Sequence, residues 1–130
     1  TAGDLVSYSV LTEAIDREFD MKVKLDTYEV TEYLTKYFEY LFGYYPEEFA
    51  SGKINESLMT YNKMFAGYIA LAAKMKNENI ELKKLKSILD NIDFSRENEL
   101  WKELGITNSE GKIVGNTDEK KISKYFRELL

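Results

Sequence analysis

The chain has no cysteine and no histidine, a single proline and seven glycines in 130 residues. Without cysteine there are no disulfides, no thiolate metal sites and no cysteine nucleophile, which fits a reducing interior and a cytoplasmic location. Without histidine the commonest general acid–base group and the commonest metal ligand are gone. Ser-His-Asp, Cys-His and histidine–carboxylate metal chemistries are therefore excluded. One proline and few glycines favour helices over many short strands. No charged-then-apolar leader opens the chain, so secretion is not expected. It begins at Thr1 rather than Met, and we expect it to be a fragment of a longer protein. Long apolar runs are missing too. From Met64 to Ala73 every residue is apolar, small or aromatic, but ten residues cannot span a bilayer, which needs about 20. No membrane partner is expected.

What is present is a chain long enough to bury one core. The run Leu58–Met75 is greasy on every side in its middle, so neighbours must cover several of its faces. We expect a buried central helix at about 57–76 with five to six helices packed around it, making a single all-α domain. The first helix is expected from an Asp4 cap to about Phe19, with Leu5, Tyr8, Leu11, Ile15 and Phe19 on one face. Asp20–Leu25 reads as a connector. Asp26 and Glu29 read as a capping box opening a second helix to Phe42. Its apolar stripe is Val30, Tyr33, Leu34, Tyr37, Phe38 and Leu41, and Gly43 is placed as a left-handed cap ahead of Pro46. Tyr44–Asn55 is irregular, with a short turn at 46–49. Asn55 or Ser57 is expected to cap the central helix, where Ala66, Gly67, Ala70 and Ala73 admit a close neighbour. A fourth helix is expected at Ile80–Asn91, and a fifth from a Ser95 cap to Leu104, stopped by Gly105. A small hairpin is expected near 106–115. Asn116 with Glu119 should open a final helix through Ile122, Tyr125, Phe126 and Leu129.

The net charge of −5 is unevenly spread. Residues 1–52 carry four basic and eleven acidic side chains, while residues 53–130 carry fourteen and twelve. Such asymmetry can orient a charged partner. Two lysine strips are candidates for phosphate contact: Lys74, Lys76, Lys83, Lys84 and Lys86, and then Lys112, Lys120, Lys121, Lys124 and Arg127. Acids interleave with both, so solvated helix faces are the plainer explanation. The aromatic crowd Tyr28–Tyr45 could stack bases, but its helical spacing favours core. Glu47 and Glu48 could be paired catalytic carboxylates, yet adjacent acids in a first helical turn simply suit its dipole. Trp101 could anchor an interface, but among Phe94, Leu100 and Leu104 it reads as the plug that docks the fifth helix. No catalytic residue, cofactor or metal is expected.

The segment Ile88–Trp101, the Gly105-Ile106 step and the lysine-rich end resemble the C-terminal part of proteins with a DGQHR domain, the DndB-like family of DNA sulfur modification systems. The specific portion is Ile92, Asp93, Phe94, Ser95, Arg96, Asn98 and Trp101. Tyr33–Phe49 is similar to that family's aromatic helix and the Pro-Glu turn ending it. The Asp-Gly-Gln-His-Arg motif itself is absent from this chain. The resemblance implies the helical C-terminal part of a longer bacterial or phage protein involved in DNA modification or its regulation, without the ParB-like half. Within the shared run, Ser95 would cap a helix, Asp93 would complement its dipole, and Arg96 and Asn98 would reach outward.

The reading from sequence is thus a non-enzymatic accessory domain, touching DNA or another protein through Lys83, Lys84, Arg96, Lys120, Lys121 and Lys124. The alternative is a helical protein-interaction module unrelated to DNA, whose acidic first half faces a basic partner. A small enzyme working with carboxylates and tyrosines alone is the third.

Overall fold

A computed structural model of the chain describes residues 8–19, 24–50, 57–115 and 117–130. Among them are seven α-helices: α1 (Tyr8–Phe19), α2 (Lys24–Tyr44), α3 (Pro46–Ala50), α4 (Met64–Asn77), α5 (Leu85–Leu89), α6 (Glu99–Glu103) and α7 (Glu119–Arg127). Two single 3-10 turns, Leu58–Thr60 and Leu82–Lys84, precede α4 and α5. Among the described residues the sole β pairing is a bridge between Thr107 and Ile113. The expected all-α class holds.

The expected middle of the molecule is α4, and Phe65, Ile69 and Ala70 are at most 1 % exposed. Its Met64–Ala73 stretch carries no charged or strongly polar side chain and leaves no face for water, so it is covered from several sides. α1 and α7 make the main contacts with it. Each approaches through small residues. Ala14 of α1 packs with Ala66 and Ile69, and Phe126 of α7 lies where a Cβ on Gly67 would collide with its ring. A run of rings then fills the interior, from Phe38 and Phe42 through Phe49, Phe65 and Tyr68 to Phe126, Tyr125 and Trp101.

The central helix is shorter than expected. Ser57 does cap, but what it caps is the 3-10 turn, its Oγ accepting from the Met59 N–H. Tyr61 then turns extended and α4 starts at Met64. The break has a use. The Tyr61 and Thr117 hydroxyls lie 3.0 Å apart, Thr117 donates onward to the Gly105 carbonyl, and Lys63 Nζ donates to the Thr117 carbonyl at 3.1 Å. The segment that delivers α7 is thereby pinned to the start of α4.

Several helix ends differ from expectation. α2 begins at Lys24, so Asp26 lies inside it rather than at its cap, and the helix runs through Gly43 to Tyr44. Gly43 has no positive φ. Pro46 opens α3 directly, in the position where its missing N–H costs nothing. α4 ends in a left-handed residue that is Asn79, not glycine, with Ile80 N–H on the Met75 carbonyl and Asn79 N–H on Lys76. That double bond is a Schellman cap. Gly105 closes α6 the same way, with φ of 79° and Ile106 N–H on the Trp101 carbonyl. The expected fourth helix is broken into a 3-10 turn and α5, which ends at Leu89. The expected hairpin near 106–115 forms around Asn108, whose side chain accepts from the Glu110 and Lys112 N–H groups. α7 is capped by Asp118. The expected contributions of Asp4, Leu5, Ile54, Asn55 and Asn116 lie outside the described residues.

Candidate functional site

The Ile92–Trp101 run is a structural lock. Asp93 Oδ1 accepts from the Ser95 N–H, and the Asp93 carbonyl accepts from both Trp101 Nε1 at 3.0 Å and Asn98 Nδ2 at 2.7 Å. Trp101 is fully buried and stacks on Phe94. Asn98, not Ser95, caps α6, its Oδ1 accepting from the Leu100 N–H. Of the two residues expected to point outward, Asn98 is thus engaged on both sides. Arg96 is half-buried, with Nη1 3.5 Å from the Gly111 carbonyl of the hairpin. It belongs to this lock rather than to a free cationic face.

The lysines sort clearly once the chain is folded. In the first strip Lys74 pairs with Glu78 at 3.4 Å, Lys76 with Glu29 at 3.4 Å, Lys83 with Glu81 at 3.1 Å and Lys86 with Asp90 at 3.1 Å. Lys84 is exposed, with no such partner among the described residues. In the second strip Lys112 pairs with Glu110, and Arg127 grips the Glu18 carboxylate with both distances at 2.8 Å. Lys120, Lys121 and Lys124 remain. They stand exposed on the outer face of α7, and no acid of the described residues comes within ion-pair distance of them. The inner face of the same helix carries Ile122, Ser123 and Phe126 against α4.

The orientation of α7 is held from behind. Glu18 is 6 % exposed at its side chain, between Arg17 and Arg127. Arg17 Nη2 donates to Ser123 Oγ, which donates in turn to the Ala66 carbonyl. This partly buried polar chain ties α1, α4 and α7 together, and no spacing in the sequence announces it.

α2 presents a different surface. Tyr37 and Leu41 are fully buried as expected, whereas Tyr28 and Tyr40 are 73 % and 42 % exposed. Glu29, Glu32 and Glu39 share this outer face. Where α2 passes the end of α4, Tyr33, Met75, Ile80 and Leu82 floor an open groove of about 490 Å³. Farther along, Glu39, Tyr40, Gly43 and Tyr44 line a slot of about 350 Å³. Burial pushes the Tyr33 phenol up to about 12 and those of Tyr37 and Tyr68 well above the ordinary tyrosine value. Tyr45 is raised by burial and by its 2.7 Å bond to Asp90, and that same bond, with help from Lys86, lowers Asp90.

No described helix is long and apolar enough to cross a membrane. Among known proteins, the chain is 31% identical over 135 aligned positions to the SPbeta prophage-derived uncharacterized protein YopQ of Bacillus subtilis (strain 168). The alignment takes in 96% of this chain and 29% of that protein, so the chain spans less than a third of the relative's length. No protein-family model and no solved structure matches.

Proposed function

We propose that this chain is a non-catalytic helical accessory domain of a longer, DNA-associated protein of the DGQHR/DndB-like kind, and that it meets the nucleic-acid backbone through the outer face of α7. The observation that carries the reading is the set of three exposed lysines, Lys120, Lys121 and Lys124, without acidic partners among the described residues, on one helix, while six of the nine other lysines whose side chains are described are paired. The resemblance of the Ile92–Trp101 run supports the family, and the much longer prophage relative is in keeping with a phage-borne parent. Because the whole domain is acidic, the contact is an auxiliary one, adding to affinity supplied by the rest of the parent.

Phosphate contact makes a quantitative demand. Three neutralised phosphates give a salt slope of about −2.7, so affinity for duplex DNA falls roughly 40-fold between 50 and 200 mM salt. Changing Lys120, Lys121 and Lys124 to Gln should flatten that slope, whereas Lys83→Gln should leave it nearly as it was. Absence of binding at low salt, or a slope indifferent to the triple change, would rule out the α7 contact.

A second reading, a helical protein-interaction module facing a basic partner, draws on the exposed tyrosines and glutamates of α2. It predicts capture of basic protein segments that is lost on charge reversal within residues 1–52.

A further inference from the structure

Twice in this molecule a tyrosine ring, a carboxylate and a cation meet. Lys76 Nζ lies 5.9 Å from the Tyr33 ring centroid and 3.4 Å from Glu29. Lys86 Nζ lies 5.1 Å from the Tyr45 centroid and 3.1 Å from Asp90. In both, the quadrupole of the ring and the carboxylate attract the same positive charge. Tyr40 and Glu39 offer the same two components on the outer face of α2, and there no lysine or arginine of the described residues meets the ring. The space beside them is open. Tyr44 stands one turn on, its ring centroid 5.8 Å from that of Tyr40 at an angle of 56°, and the Tyr44 hydroxyl is held on the Lys83 carbonyl.

The floor of this slot is Gly43. Nothing in the fold asks for glycine at that position: its backbone is helical, its φ is not positive, and a Cβ there would meet no atom within 4 Å. A glycine inside a helix costs stability relative to alanine. What it provides is access, letting an incoming group lie against the helix backbone beside the two tyrosine rings.

We infer that the Glu39–Tyr40–Gly43–Tyr44 slot receives an arginine side chain from a basic segment of a partner protein. Guanidinium fits better than ammonium, because it is planar, stacks on aromatic faces and can still bond a carboxylate at its edge. The acidic excess of residues 1–52 supplies attraction at longer range and disfavours a second copy of the same face. Lys36, one turn before the slot, and Lys83, whose carbonyl accepts the Tyr44 hydroxyl, are cations that an incoming arginine must pass. The inference rests on the protein-interaction reading and is separate from the α7 contact.

The test is an amide-shift NMR titration of this chain with acetylated, amidated tetra-arginine, using tetra-lysine and tetra-glutamine as controls. Shifts are expected at Glu39, Tyr40, Gly43 and Tyr44, larger with arginine than with lysine and absent with glutamine. Tyr40→Ala should weaken binding about two- to fivefold, the range of an exposed cation–π contact. Gly43→Leu should abolish the slot shifts without lowering the melting temperature, since the added side chain has room; misfolding therefore cannot imitate the result. If tetra-arginine binds but shifts only other acidic residues, or binds Gly43→Leu as well as the parent, the slot is overturned while the protein-interaction reading stands. If it does not bind at all, both fall.

Discussion

Gly67 and Gly43 show how differently one residue type serves the same chain. A Cβ on Gly67 would run into the Phe126 ring, so Gly67→Ala should cost about 1–3 kcal/mol through overpacking despite the gain in helix propensity. Gly43→Ala has free space and should gain about 0.5–1 kcal/mol. Denaturant melts of the two variants should move in opposite directions. Phe65→Ala, emptying the centre of the ring array, should cost about 3–5 kcal/mol. Which glycine was which could not be read from sequence. Both sit in helical surroundings, and only the position of Phe126, 59 residues downstream of Gly67 in the numbering, separates them. The same holds for the lysines. Lys76 and Lys124 look alike in sequence, yet folding brings Glu29 to the first and no described acid to the second.

At the scale of elements, α4 was legible because a helix without a polar face has one stable environment. Gly105 was legible as well, since a left-handed position after a helix selects glycine strongly. Caps were read less well. Ser95 and Asn98 are both good cap residues three positions apart, and because α6 starts only at Glu99 the role falls to Asn98, whose side chain accepts the Leu100 N–H. Asn98→Ala should accordingly cost more than an ordinary cap, since it also strips a hydrogen bond from the Asp93 carbonyl that holds Trp101. Asp118→Ala, which removes only the α7 cap, should cost about 0.5–2 kcal/mol. Thermal melts of both variants would rank them. The end of α2 was misread because glycine followed by proline three residues later resembles a stop, whereas the Tyr45 N–H still reaches the Leu41 carbonyl.

For the whole molecule, the buried phenols set an alkaline limit. Tyr33, raised to about 12, and the higher Tyr37 and Tyr68 stay protonated in the fold, while the same groups in the unfolded chain release protons near 10. The folded state then binds more protons than the unfolded state, so stability falls as pH rises above about 10. Phenolate absorbance should rise in two stages, the exposed tyrosines first and the buried ones only with loss of helix signal. A single early stage would mean that these rings are not sealed. Architecture adds a constraint on how the protein comes into being. α4 is flanked by α1 from the beginning of the chain and α7 from its far end, clasped by the Glu18–Arg127 pair across 109 positions. During synthesis a ribosome must therefore release the chain through α7 before that apolar rod is sheltered on both sides, and a nascent chain stopped before Glu119 would expose it to aggregation.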